Sequence, residues 1–237
     1  MEVRFEKTEP NRSIARTLIA PNHGYLPGNL LRDLRESKPA ARVPKRMIHW
    51  KLGKSTARIA NPFGSRSPSI KLAPFLGCVA TAFPRRAPCS LDAGSHGGNI
   101  DLSDLTASST LWLPVSVPGG LLYLGDMHAA QGHGETVGGA LEVSGRVRVR
   151  CNVKKHARLR WPRYQTKHGR GCIVVQNRME DGIKLSLAEM IQWLTEDGLN
   201  RYDAYMLASQ TCEFKLGGVN SRWCVVACFL PDSHWAR

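Results

Sequence analysis

Arg146-Val-Arg-Val-Arg-Cys-Asn-Val153 is the stretch of this 237-residue chain that indicates the fold most clearly. Val147, Val149, Cys151 and Val153 alternate with polar residues, three of them arginines. A period of two residues is typical of a strand with one face on a core and the other in solvent. The stretch therefore predicts a β-strand in a β-rich protein, with its arginines on a solvated face.

Short apolar runs between glycines and prolines extend this prediction through the middle of the chain. The runs cover residues 75–80, 110–117 and 121–124, and Pro118-Gly-Gly120 is typical of a turn between two of them. Residues 223–230 predict a buried strand that closes the domain. We expect the middle third to be mostly β.

The first 70 residues are poorly patterned and rich in Pro, Arg and Ser, which predicts a loop-heavy region. Only Val3-Arg-Phe-Glu6 alternates, and it predicts one short edge strand. A chain of 237 residues without internal repeats can bury one sizeable core. We therefore expect a single domain over residues 1–237.

Helix is predicted only near the C-terminus. Ser186-Leu-Ala-Glu189 matches a capping box, the apolar residues from Leu187 to Leu194 recur at helical spacing, and Gly198 is a suitable stop. A second short helix is predicted over residues 200–208. The expected fold class is mainly β with a small α/β C-terminal part.

The formal charge of +14 is the strongest anomaly of composition and raises the question of nucleic-acid binding. The basic residues recur in short groups, and only residues 154–170 contain interleaved aromatic side chains, Trp161 and Tyr164, that could stack on bases. Because part of the charge lies on the solvated face of a strand, the distribution favours a protein that does not bind nucleic acid.

The chain has no apolar run long enough to span a membrane, and the residues after Met1 lack the apolar region of a signal peptide. Its seven cysteines are an odd, scattered set, which favours reduced thiols over a disulfide framework. For Cys224 and Cys228, four residues apart, buried apolar thiols are favoured over a metal pair. These features predict a soluble, cytoplasmic protein.

Two glycine-rich stretches contain most of the residues that could carry chemistry, Gly94-Ser-His-Gly-Gly-Asn-Ile-Asp101 and Gly125-Asp-Met-His-Ala-Ala-Gln-Gly-His-Gly-Glu135. Glycine permits backbone angles and close approaches that other residues avoid. Asp126 and His128 follow a predicted strand at i, i+2 spacing, so both side chains point the same way if the strand continues. Taken alone, this pair favours a structural contact over half of a metal site.

The density of ligand-type residues favours the metal site. The candidate ligands and catalytic groups of the two stretches are His96, Asn99, Asp101, Asp126, His128, Gln131, His133 and Glu135. A divalent ion on three such side chains would polarise an amide carbonyl and lower the pKa of water. A carboxylate such as Glu135 could then transfer the proton of that water to the leaving amine.

The order and spacing of four blocks resemble the acetamidase/formamidase family. The blocks are His96-Gly-Gly-Asn-Ile-Asp101, Leu111-Trp-Leu-Pro-Val115, Pro118-Gly-Gly-Leu-Leu-Tyr-Leu-Gly-Asp126 and His128-Ala-Ala-Gln-Gly-His-Gly-Glu135. Further matches are Pro74-Phe-Leu-Gly77, Ala140-Leu-Glu142 and Asp203-Ala-Tyr-Met-Leu-Ala-Ser209. The resemblance extends from about residue 20 to the C-terminus.

The resemblance implies a β-sandwich architecture, a homo-oligomer such as a dimer, and hydrolysis of short linear amides to carboxylate and ammonia. It implies a bound divalent ion, with zinc first and calcium second. Asp126 and His128 are the first expected ligands, Asp101, Asn99 and His133 are further candidates, Glu135 is the expected general base and His96 a second catalytic candidate. Gln131 and Glu142 are the candidate substrate-binding residues.

Two departures from the family pattern leave an alternative open. His133 stands where the family usually has Asp, which exchanges an anion for an imidazole. Met1 also falls where relatives have already passed through an N-terminal β region, so that region is expected to be missing, and its loss would expose strand edges. The alternative is a truncated family member that binds metal or a protein partner without turnover.

Overall fold

The computed structural model of the protein describes residues 1–20, 23–26, 45–60, 67–84 and 87–234. The strands in this part of the chain are β1 (Glu2–Pro10), β2 (Ile14–Ile19), β3 (Arg46–Leu52), β4 (Thr56–Ile59), β5 (Ser69–Lys71), β6 (Phe75–Ala80), β7 (Ala93–Gly94), β8 (Gly97–Asn99), β9 (Thr110–Trp112), β10 (Tyr123–His128), β11 (Gly145–Asn152), β12 (Arg163–Thr166), β13 (Gly169–Gln176), β14 (Glu213–Leu216) and β15 (Cys224–Pro231). The helices are α1 (Met179–Glu196) and α2 (Arg201–Thr211), followed at the end by a short 3-10 turn (Asp232–His234). The prediction of a mainly β protein with helix near the C-terminus is confirmed.

The strands form one seven-stranded and two four-stranded sheets. The seven-stranded sheet has the order β11-β1-β9-β12-β13-β15-β14, and the smaller sheets have the orders β10-β6-β8-β7 and β2-β3-β4-β5. All pairings within them are antiparallel. Such sheets can be solvated on one face, which agrees with the alternation of buried and exposed residues in the first half of β1. In β11, Val147 and Val149 are half-buried, but Cys151 and Val153 are exposed, so the predicted core face ends at Val149.

The main core lies between the seven-stranded sheet and the sheet of β10, β6, β8 and β7. Phe5 and Tyr164 from the large sheet share this core with Val79 from β6 and with Ile100. The other face of the large sheet is covered by the two helices, where Met190 and Leu194 pack against Cys172 and Cys228. The large sheet and the sheet of β10, β6, β8 and β7 thus form a sandwich, and the helices form a layer on the outer face of the large sheet.

The first 70 residues contain much more strand than the sequence pattern predicts, so the loop-heavy prediction is wrong for their described part. β1 is nine residues long and lies between β11 and β9, so it is not an edge strand. Its register with β11 shifts between Phe5 and Lys7. That bulge breaks the period of two, and the sequence therefore shows only the first half of the strand.

The helix predicted to start at Ser186 begins seven residues earlier, at Met179. Ser186 is buried inside α1, where its Oγ donates to the carbonyl of Ile183 at 3.1 Å, so the capping-box interpretation is wrong. The helical pattern is hidden before Ser186 because α1 contains Gly182, and glycine disfavours helix. Glycine is present here because the helix packs closely on the sheet: a Cβ at Gly182 would lie 2.7 Å from Cγ2 of Val226 in β15.

The second helix agrees with its prediction. Asn200 caps α2, with its side-chain oxygen accepting hydrogen bonds from the backbone N–H groups of Tyr202 and Asp203 at 3.0 Å. All seven cysteines are free thiols. In the described ranges, neither helix is long and apolar enough to cross a membrane.

Candidate metal centre

Strand β10 continues through Asp126 and His128, so the predicted i, i+2 pair does lie at the end of one strand. In the register with β6, Asp126 stands opposite Gly77, between the pairs Gly125 with Cys78 and Met127 with Leu76. Its φ of 61° is left-handed, a conformation that is uncommon outside glycine. The backbone at Asp126 is therefore held in an unusual conformation at the position where its carboxylate enters the site.

Gly77 provides the space in which the site forms. A Cβ at this position would collide with Oδ1 of Asp101 and lie 2.7 Å from Oδ2 of Asp126 and 2.9 Å from Cε1 of His128. Any side chain here would occupy the point at which the three side chains meet. The close approach of these three side chains explains why a glycine is present in the middle of a fully buried strand.

Asp101 reaches the same point from the loop that follows β8. The backbone N–H groups of Ile100 and Asp101 both donate to the carbonyl of Gly77, at 2.9 and 3.0 Å, and fix this loop on β6. The residue is fully buried, with a left-handed φ of 49°. Asn99 donates to Oδ2 of Asp101 at 2.5 Å, while Oδ1 has no hydrogen-bond partner.

Glu135 comes from the loop after β10 and is held by Asn220 near the C-terminus. Nδ2 of Asn220 donates to Oε2 of Glu135 at 2.6 Å and to its backbone carbonyl at 3.0 Å. The other carboxylate oxygen, Oε1, lies 3.9 Å from Nε2 of His128. One oxygen of Glu135 is therefore anchored and the other faces the cluster.

Glu142 joins the site at the junction of the two small sheets. Its backbone forms isolated bridges to Arg16 of β2 on one side and to His128 of β10 on the other. Oε1 accepts from the backbone N–H of Ala140 at 2.8 Å, and Oε2 lies 3.3 Å from Nε2 of His128. The carboxylate is thus positioned by its own local turn.

His128 uses Nδ1 for a hydrogen bond with Gln131, so Nε2 is the ring nitrogen that faces the carboxylates. Nδ1 lies 2.8 Å from Oε1 of Gln131, and Nε2 of Gln131 donates to the carbonyl of Asp101 at 2.6 Å, which orients the amide. Nδ1 is then the donor, and in a neutral ring Nε2 carries a lone pair. A partner that fixes the tautomer in this way is typical of histidines that ligate metals.

Two groups in the described part of the chain have the geometry to hold a metal ion, and they share His128. They are Asp101, His128 and Glu135, which are all buried, and Asp126, His128 and Glu142. In each group the ligand atoms lie within 4.8 Å of one another. Because Nε2 can bind only one ion, the two groups are two sides of one site.

The electrostatics of the cluster favour a bound cation. Burial raises the pKa of Asp101 to about 9, and the charge of Glu135 adds to the effect. Burial alone would lower the pKa of His128, but the carboxylates of Asp126 and Glu142 raise it to about 11. Without a cation, Asp101 would therefore keep its proton at neutral pH, and the proton on His128 would balance one of the remaining carboxylates. A divalent cation would balance two and would satisfy Oδ1 of Asp101 and Nε2 of His128, neither of which has a hydrogen-bond partner.

The site opens on the side of Asp126 and Glu142. Their side chains are 37% and 38% exposed, whereas that of His128 is fully buried and that of Glu135 is 7% exposed. A ligand from solvent would therefore meet Asp126 and Glu142 first. Asp101 and Glu135 form the buried side.

Three residues predicted to act at the site lie outside both ligand groups. His96 contacts Phe83, with ring centroids 5.2 Å apart, and lines a separate pocket with Trp161 and Trp223. His133 is exposed, and its Nδ1 lies 3.2 Å from the carbonyl of Leu216. Asn99 contacts Asp101 only through its hydrogen bond. The two glycine-rich loops meet through Asp101, and the strand between His96 and Asp101 leads His96 away.

Gln131 and Glu142, predicted as substrate-binding residues, contact His128 directly. Two further contributors were not singled out from the sequence, Gly77 and Asn220. Gly77 belongs to a block that matches the family pattern, and Asn220 follows the paired glycines 217 and 218. A Cβ at Gly218 would lie 2.7 Å from Oδ2 of Asp101, so the glycine pair marks a close approach to the site. It is the feature of the sequence that could have drawn attention to Asn220.

Comparison with known proteins identifies the family of the chain. The profile of the acetamidase/formamidase family matches residues 79–233, which is more than half of the chain. The chain belongs to the acetamidase/formamidase family. The matched region contains both glycine-rich loops and every ligand candidate, so the family resemblance inferred from those loops is confirmed.

A formamidase of Methylophilus methylotrophus is 43% identical over 61 residues, which are 25% of this chain and 15% of the relative. A crystal structure of an acetamidase from Yersinia enterocolitica has a TM-score of 0.86 at 28% identity, with 100% of this chain and 70% of that chain covered. An acetamidase from Bacillus halodurans has a TM-score of 0.83 at 24% identity, over 99% of this chain and 74% of that chain, and shows likeness of fold alone. The acetamidase-like β architecture is confirmed.

Proposed function

We propose that this protein is a metal-dependent hydrolase of linear amides that produces a carboxylate and ammonia. The observation that carries the proposal is the convergence of four carboxylates, Asp101, Asp126, Glu135 and Glu142, around Nε2 of His128. Family membership supports the same reaction class, since relatives named formamidase and acetamidase share the fold or the loops.

Asp126, His128 and Glu142 would hold the ion on the open side, and Asp101 would support it from the buried side. A nitrogen ligand favours zinc or a similar transition-metal ion, because calcium prefers oxygen ligands alone. Zinc is therefore our first choice and calcium the second. His133 lies outside this ligand set, since its Nδ1 faces the carbonyl of Leu216. Asn99 would act on the site through Asp101, whose Oδ2 it holds by a hydrogen bond.

The ion would act as a Lewis acid that polarises the amide carbonyl and lowers the pKa of water. Glu135 would take one proton from the attacking water with its free Oε1, while Asn220 holds Oε2. The oxygen of water forms a bond to the carbonyl carbon, the carbon–nitrogen bond breaks, and Glu135 returns the proton to the leaving nitrogen. Burial raises the pKa of Glu135, which suits a group that must both accept and release a proton.

We further propose the homodimer that the family resemblance implies. The exposed face of α2 carries Tyr202, Tyr205 and Met206 at helical spacing, and apolar side chains this exposed support a contact between copies. Size-exclusion chromatography with light scattering tests this. A monomer at micromolar concentration would contradict it.

Ammonia release from formamide and acetamide, with and without a chelator, tests the reaction. Release that stops with chelator and returns with zinc is expected. If no short amide releases ammonia in a chelator-sensitive way, the family member that binds metal without turnover replaces this proposal.

Glu135→Gln tests the role of the general base. The variant keeps the shape of the side chain and its Asn220 contact, so metal bound per chain should be unchanged while turnover falls about a hundredfold or more. Elemental analysis and ammonia release measure the two quantities. Loss of metal would make Glu135 a ligand, and full activity would refute its catalytic role.

A further inference from the structure

The open side of the metal centre borders a cavity much larger than a short amide needs. The cavity has a volume of 520 Å³ and includes Asp126 and Glu142 in its lining. Pockets of roughly 300–1,000 Å³ hold ligands of drug size, whereas formamide and acetamide have only one or two carbon atoms. The volume therefore indicates a substrate with a longer acyl chain.

One wall of this cavity is apolar. Leu76, Leu124, Val143 and Val147 line it beside the two carboxylates. Methylene groups of an acyl chain would displace water from these side chains and gain about 0.8 kcal/mol for each buried CH₂. The wall thus favours an aliphatic chain next to the reacting carbonyl.

The lining of the same cavity also contains a basic side chain. Arg16 lines it, and Arg16 also lines a second cavity of 450 Å³ together with Arg12, Glu142 and Val143. The backbones of Arg16 and Glu142 exchange two hydrogen bonds of 2.9 Å, so Arg16 originates directly beside a candidate ligand. Within the described ranges, neither Arg12 nor Arg16 forms an ion pair.

We propose that the preferred substrate is a half-amide of a dicarboxylic acid, such as succinamate, whose far carboxylate binds Arg16 with help from Arg12. This inference rests on the proposed function and specifies the substrate class of the same site. The amide would lie at the metal centre, the methylene groups on the apolar wall and the carboxylate at the arginines. Arginine can bind a carboxylate through two parallel hydrogen bonds, which gives both affinity and orientation.

The competing explanation is that the arginines only offset the negative charge of the metal centre. In that case their removal would affect neutral and anionic amides equally. A carboxylate-binding role predicts that only the preference for anionic amides depends on Arg16. The ratio of the two activities therefore separates the explanations.

The experiment measures kcat/KM of the zinc-loaded protein for malonamate, succinamate and glutaramate, each against the neutral amide with the same number of carbons. At least one anionic amide should exceed its neutral partner by about tenfold, and Arg16→Gln should reduce that ratio about tenfold to a hundredfold, mainly through KM. Arg58→Gln, which removes an exposed arginine from β4, is the matched control. Preference for neutral amides, or an equal loss for both series in Arg16→Gln, overturns the inference.

Binding of succinate, the product, keeps the inference testable without turnover. Calorimetry with the zinc-loaded protein should detect succinate and a weaker response from butyramide, and Arg16→Gln should abolish the difference. If no amide is hydrolysed but succinate binds through Arg16, the proposed reaction fails and the anion subsite stands. If succinate does not bind better than butyramide, the subsite fails by itself.

Discussion

His128 and His96 come from two glycine-rich stretches of similar composition, yet their surroundings differ in kind. His128 is fully buried among carboxylates, with Nε2 3.3 Å from an oxygen of both Asp126 and Glu142. His96 is also buried but lies against Phe83 and lines an aromatic pocket with Trp161 and Trp223. The comparison shows that the charges around a buried imidazole decide whether it is a candidate ligand. The composition of the surrounding sequence does not decide it.

Replacement of each histidine by alanine gives the largest expected contrast. His128→Ala removes the nitrogen shared by both ligand groups, so bound metal should fall from about one ion per chain to almost none, and amide hydrolysis should stop. His96→Ala should retain the metal and most of the turnover, with a loss of stability of about 1–3 kcal/mol from the aromatic contact and packing.

Elemental analysis, ammonia release and thermal unfolding measure these effects. Loss of metal in His96→Ala would remove the distinction between the loops. Retained metal with abolished turnover would instead support the catalytic role that the sequence predicts for His96.

A smaller loss of metal affinity is expected from Gly77→Ala. The added methyl group would occupy the space between Asp101, Asp126 and His128, and accommodating it would shift the ligands. Overpacking of this kind costs about 1–3 kcal/mol, so metal affinity should fall about tenfold to a hundredfold while the fold persists. Metal titration followed by calorimetry measures the change.

Gly132→Ala is the matched control, because a Cβ at Gly132 meets nothing within 4 Å and the residue belongs to the loop after β10. Its metal affinity should stay within about twofold of the original. If Gly77→Ala binds metal equally well, the three side chains do not meet at this point in solution.

The smallest effect concerns the stability of the pocket that contains His96. Asp92 lines this pocket and accepts hydrogen bonds from Arg222 at 2.6 Å and from Trp223 at 3.2 Å. The hydrogen bond from Arg222, together with those from Trp223 and Cys89, lowers the pKa of Asp92 to about 2. Ionised Asp92 therefore stabilises the fold above its unfolded pKa of about 3.9, and this stabilisation disappears as pH falls towards 2.

Asp92→Asn should thus lower the melting temperature at pH 7, and its difference from the original chain should narrow between pH 4 and pH 2. Thermal unfolding across this pH range provides the measurement, with Asp232→Asn, an exposed carboxylate in the last turn, as the control. A difference that widens on acidification would contradict the assigned direction. The expected narrowing would show that the pocket of His96, unlike the metal centre, has its negative charge balanced by a side chain of the protein itself, Arg222.

The sequence predicted the elements whose pattern is local. The strand from Arg146 to Asn152, the helix after Asn200 and the strand that continues to His128 are present as expected, although the alternation of the first strand stops at Val149. It missed the full length of β1, because the bulge after Phe5 interrupts the alternation, and the start of α1, because Gly182 reads as a breaker.

By itself, the sequence determined which loops contain the candidate ligands, since ligand-type residues embedded in glycine are visible without a fold, and it indicated the family. Only the tertiary structure decided which of them converge. Asp101 and Asp126 meet because two strands place them on either side of Gly77, and Glu142 joins them through a bridge between sheets. His96, five residues before Asp101, is carried away because β8 lies between the two residues and His96 packs against Phe83 at the other end of that strand.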